Sequence, residues 1–118
     1  MAFNCDQWMQ KALAELDDGL PASHEPMLTA QANEDWLVWR EMSQRQIRAS
    51  GETLGVQHNL RLTLSCTAQT DHQVLAWHIQ EAIKDTKGCV YVRSAGDQWN
   101  QETRRRECTL YVGIMEAV

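Results

Sequence analysis

This sequence predicts an α+β fold: a mostly antiparallel sheet of four to five strands with two helices packed on one face, in a single domain over residues 1–118. Three observations carry that expectation. In "LRLTLSCT", Leu60, Leu62, Leu64 and Cys66 alternate with Arg61, Thr63, Ser65 and Thr67, the pattern of a strand with one buried face. Cys5, Trp8, Met9, Ala12, Leu13 and Leu16 follow the spacing of one helical face, and Leu75, His78, Ile79, Ala82 and Ile83 repeat it downstream. The remaining apolar stretches have strand-like length and are separated by turn-forming residues.

The first helix starts from Asn4 as N-cap, with Gln7 three residues on in capping-box spacing and Phe3 placed to staple onto Trp8. Asp17-Asp18-Gly19 is expected to stop it, glycine supplying the left-handed position past the last turn. Leu20 to Asp35 holds both prolines and reads as an extended connection with a short strand at Met27 to Ala30. "WLVWREMSQRQI" is a strand with Trp36, Val38 and Met42 on one face and Leu37 and Trp39 on the other, so both faces of its first half call for burial. "RASGETLG" reads as a hairpin loop leading to the Leu60 strand. Thr70 and Gln73 form a second capping-box pattern, opening a helix that runs to about Lys84 and ends at Lys87-Gly88. "CVYVRS" is the next strand, "AGDQWNQET" a turn region and "RRRECTLYVGIMEAV" the last strand.

Composition narrows the function classes. No apolar run approaches the ~18 residues of a membrane span, and the acidic N-terminus does not read as a secretory signal. Cys5, Cys66, Cys89 and Cys108 lie far apart, with no CxxC pair and no histidine at zinc-finger spacing; they are expected to be reduced core thiols, with no disulfide and no metal. The net charge is -5: residues 1–35 hold seven acids against one lysine, and residues 36–118 nine acids against ten bases. A dedicated nucleic-acid-binding domain shows a strong basic excess, and this chain has none. Arg104, Arg105 and Arg106 therefore read as a solvated strand end, or as contacts to an acidic partner surface, before they read as a phosphate grip.

Catalytic signatures are missing from the sequence: it has no glycine-rich phosphate loop, no GxSxG and no HExxH. Ser65 and Cys66 have no adjacent base, and His78 reads as a core histidine. The expectation is a non-enzyme without cofactors. Trp77 stands apart, because at 100° per residue it falls about 200° from Leu75, on the outward face of its helix. An outward indole in a chain with five tryptophans points to a subunit or partner interface.

The order of elements, with "HNLRLTLSCTAQTDHQVLAWHIQEAI" and "DQWNQETRRRECTLYVGIM", resembles the tail terminator or tail completion proteins of long-tailed bacteriophages, the lambda-type minor tail protein family. Thr70 to Trp77 fills the slot of the family's turn and helix start. Asp97, Trp99, Glu102, Thr103 and Arg104 to Leu110 echo its closing section. Relatives often carry a proline before the aromatic strand, where this chain has Asn33-Glu34-Asp35. The resemblance implies a sheet covered by helices on one side and a hexameric ring that caps the tail tube, ends its polymerisation and docks the head. It implies partners in the tail tube and head connector proteins, and a location in the virion tail after assembly in the host cytoplasm. Arg45, Arg48 and Arg104 to Arg106 would then lie at the sheet's ends, where ring subunits and the tube are met, with Trp77 near a contact surface. A head–tail joining (neck) protein and, more distantly, a small regulatory or nucleic-acid-binding module are the alternatives.

Overall fold

The alternating segment at Leu60 belongs to a strand of 15 residues, and strands of that length set the proportions of the molecule. The computed structural model describes residues 3–14, 16, 20–26 and 33–117. Along the chain run α1 (Cys5–Leu13), β1 (Ala22–His24), β2 (Trp36–Ala49), β3 (Glu52–Cys66), α2 (His72–Lys84), β4 (Cys89–Asn100) and β5 (Arg105–Ala117). The sheet has the order β1-β2-β3-β5-β4; β1 pairs parallel with β2 and every other pairing is antiparallel. The expected α+β fold, with both helices on one face, is the fold observed.

The core lies between that face and the helices. Leu37 and Trp39 of β2, Leu60, Leu62, Leu64 and Cys66 of β3, and Cys108, Leu110, Val112 and Ile114 of β5 are buried against Met9, Ala12 and Leu13 of α1 and Leu75, Ala76, Ile79 and Ile83 of α2. Each large side chain buried here contributes about 1.5–3 kcal/mol. Two indoles fasten α1 to the rest: Trp39 Nε1 donates to Asp6 Oδ1 at 2.8 Å, and Trp8 Nε1 to the Lys87 carbonyl at 3.0 Å.

Several local expectations are corrected. Asn4 does cap α1, its side chain accepting from the Gln7 amide at 3.1 Å. Phe3, however, stacks on His58 with ring centroids 4.8 Å apart. The regular helix closes at Leu13 with Ala14 as C-cap; the stop at Asp17 to Gly19 and the strand at Met27 to Ala30 lie outside the described residues. The cap of α2 is Asp71, which accepts from the Val74 amide at 3.3 Å. Thr70 is occupied elsewhere, donating to Asp35 at 2.7 and 2.9 Å while the Thr67 amide donates to the same carboxylate at 2.9 Å. His78 is exposed, lying edge-on to Trp77, and Ala76 takes the place in the buried stripe that was expected of it.

The hairpin loop shrinks to a two-residue turn, Ser50-Gly51, with φ of 52° and 81°. Two successive left-handed residues match the right-handed twist of the flanking strands, so pairing continues to Ala49↔Glu52. Likewise, Ala95 to Asn100 is strand and not turn. Gly96, at φ 106°, marks an irregularity between Ser94 and Asp97, and β4 resumes pairing as far as Asn100↔Arg105.

Strand and helix lengths explain the shape. A 15-residue strand spans about 50 Å at ~3.4 Å per residue, while the 13-residue α2 spans about 20 Å at 1.5 Å per residue. The helices thus cover one half of the sheet, and the β2–β3 hairpin with the end of β5 extends past them as an arm. The molecule measures 52 × 24 × 24 Å.

Candidate functional site

The three consecutive arginines have three different environments. Arg104 occupies the β4–β5 turn, exposed, at φ 56°. Arg105 is buried, contrary to the reading of the run as a solvated strand end. Its guanidinium lies 3.8 Å above the Trp36 ring and donates to Ser65 Oγ at 2.6 Å, to the Ser65 carbonyl at 3.0 Å and to the Glu34 carbonyl at 2.6 Å. Burial lowers its pKa, opposed by the charge of Asp35. Arg106, half-buried on the opposite face, donates to Asp97 Oδ1 at 3.0 Å with its guanidinium beside Trp99. Alternation along β5 sends neighbours to opposite faces, so the run forms no single patch.

Arg45 and Arg48 are exposed on the arm, and Arg48 Nε donates across the hairpin to Thr53 Oγ1 at 3.2 Å. Arg48 pairs with Thr53 whereas Arg106 pairs with Cys66. At ~3.4 Å per residue of β3 the two groups stand about 40 Å apart. They are indeed at the sheet's two ends and do not converge. Trp77 is where its helical angle placed it, 57% exposed, one turn from Val74 at 51%.

Sequence reasoning missed the arm's free edge. Among the described residues, β1 pairs only with Leu37 to Trp39, which leaves Arg40 to Ala49 with a strand partner on one side alone. The outer edge of β4 has no strand partner among them either. Unpaired strand edges are templates for adding a strand from another chain.

It also missed a cluster at the arm's base. His58 is buried on the helix-facing side, its Nδ1 2.5 Å from Glu41 Oε1 and its Nε2 2.9 Å from Glu116 Oε1. Burial of the ring opposes its charge, but the bonds from Glu116 and Glu41 outweigh that and raise its pKa above 6.5. Cys5 faces the same group, its thiol pushed up to about 12 by burial and by the charges of Glu41, Asp6 and Glu116. These residues are far apart in sequence, which hid them from any spacing rule. The available hint was that His58 continues the inward series of Leu60, Leu62 and Leu64 with a polar side chain. A second group, His72, Asp97 and Cys108, gathers beneath the start of α2, with His72 Nε2 3.3 Å from Asp97 Oδ2.

All four cysteines carry free thiols in this structure; Cys66 and Cys108 are buried, Cys5 and Cys89 half-buried. Burial pushes the Cys66 thiol up to about 12 and Cys108 to about 11, which leaves both protonated and unreactive. No helix among the described residues is long and apolar enough to cross a membrane. No family model matches the chain, and no curated protein matches it.

Proposed function

We propose that this chain is a ring-forming structural protein of a long-tailed phage or prophage, which caps the tail tube, ends its polymerisation and presents the surface that docks the head. The observation that carries the reading is the arm, whose β2 edge from Arg40 to Ala49 has no strand partner on its outer side among the described residues. A subunit with one long edge and a second edge at β4, both unpaired among the described residues, has the parts for head-to-tail contact, and a head-to-tail contact that closes on itself makes a ring. Trp77 and Val74 add an apolar patch on the outer side of α2. Covering the remaining exposed part of one indole contributes about 3 kcal/mol at ~25 cal/mol per Å². Association costs roughly 4–15 kcal/mol, so the patch assists and the arm supplies the larger surface. The hexameric number and the tail tube and head connector as partners come from the family resemblance.

The test is complementation of a phage lacking this gene by Trp77→Glu, with circular dichroism of the purified variant confirming its fold. Overlong, unterminated tails are the expected result. Normal tails that lack heads would move the protein to the head–tail joint instead. Full complementation would remove Trp77 from the interface.

A further inference from the structure

We infer that Cys5, Glu41 and His58 form a binding site for a thiophilic divalent metal ion, Zn²⁺ in chemical class, at the base of the arm. The three donor atoms, Cys5 Sγ, a Glu41 carboxylate oxygen and a His58 ring nitrogen, already lie within 4.8 Å of one another. Zinc bonds of about 2.0–2.3 Å place tetrahedral donors roughly 3.3–3.8 Å apart, so side-chain movements of about 1 Å complete the set. The donors come from α1, β2 and β3, three elements that the core already holds together.

The second feature is the orientation of the imidazole. Glu116 Oε1 lies 2.9 Å from Nε2, so it accepts from Nε2–H and leaves Nδ1 directed at Glu41. A carboxylate behind a ligating histidine is the arrangement that fixes ring tautomer and raises ligand basicity in zinc sites. Phe3, stacked on the ring, limits its rotation. The fourth position faces a cleft of about 300 Å³ whose wall includes Asp6, His24 and Gln44, which leaves room for water or a further ligand.

The local charge favours a cation. Three carboxylates gather round the site: Glu41 and Glu116 lie against the His58 ring, and Asp6 lies near Cys5. Metal binding releases the proton between Nδ1 and Glu41 and the Cys5 thiol proton to solvent; thiolate and Glu41 carboxylate then balance the two charges of the ion. The same carboxylates attract the ion. At the other group, His72, Asp97 and Cys108, the Arg106 guanidinium already occupies Asp97 at 3.0 Å and repels a cation.

The experiment adds Co²⁺ to the chelator-treated full-length chain and follows the thiolate-to-cobalt charge-transfer band. One equivalent should produce the band and Zn²⁺ should displace it. Cys5→Ser should abolish it, Cys108→Ser should leave it intact, and Glu116→Gln should weaken Zn²⁺ binding about 10- to 100-fold, the range for residues that orient a ligand. Absence of the band at saturating Co²⁺, its survival in Cys5→Ser, or its loss in Cys108→Ser would each overturn the assignment.

Discussion

Arg105 and His58 are basic side chains that the sheet buries, and each gives the fold a measurable dependence on one residue. Truncating Arg105 to Ala leaves the Ser65 and Glu34 carbonyls without its donors and removes the stack on Trp36. The expected cost is about 2–3 kcal/mol, read as a lower urea midpoint. Its neighbour should respond with the opposite sign. Arg104 sits at φ 56°, so Arg104→Gly removes a left-handed penalty of about 1 kcal/mol and returns part of it as unfolded-chain entropy, a net gain near 0.5 kcal/mol. His58 has a folded pKa raised above 6.5, outweighing burial through its bonds to Glu116 and Glu41. Its contribution to stability is therefore complete below pH 6.5 and lost as pH rises through the folded value. With chelator present, the wild type should lose urea resistance over that interval, and His58→Gln should lose markedly less. An equal pH dependence in both proteins would contradict the assignment.

At the scale of elements, two glycines separate backbone conformation from packing. A Cβ at Gly51 meets nothing within 4 Å, but φ is 81°, so Gly51→Ala should cost about 1 kcal/mol through conformation alone. At Gly113 a Cβ would collide with the Tyr91 ring, which lies across β5 with its hydroxyl donating to Asn59 Oδ1 at 3.0 Å. Gly113→Ala should cost roughly 1–3 kcal/mol by overpacking, and a double-mutant cycle with Tyr91→Ala should recover part of it, whereas Gly51→Ala should show no coupling to Tyr91. The strands themselves were legible in the sequence wherever one face was buried: Leu60 to Cys66 and Leu37 with Trp39 follow the pleat. Their far halves were not: on the arm, outside the helix cover, both faces meet solvent and alternation fades, and in β4 Ala95 to Trp99 are exposed even where α2 begins above them. "RASGETLG" and "AGDQWNQET" then read as loops from their glycines, although Gly51 makes a two-residue turn and Gly96 an irregularity within a strand. The Cys5, Glu41 and His58 group was illegible for another reason: sheet register and helix packing bring it together, and neither can be read as a spacing.

For the whole molecule, the difference between a sheet about 50 Å long and helices of about 14 and 20 Å produces the 52 Å long axis and the arm, whose outer β2 edge is unpaired among the described residues. Arg45 and Arg48 on that arm, Arg104 in the β4–β5 turn and Trp77 on α2 are the exposed members of the expected contact set, while Arg105 belongs to the interior. Arm contact and the Val74–Trp77 patch act together in the proposed ring, since the patch alone does not bury enough to offset the cost of association. The most direct measurement is the length of tail tubes assembled from the tube protein of the same virion, imaged by negative-stain electron microscopy with and without this chain. The account expects elongation to stop, a ring to appear at the capped end, and tubes to keep growing when Trp77→Glu, Arg45→Glu and Arg48→Glu are combined. An unchanged length distribution with bare tube ends in the presence of the wild-type chain would contradict it.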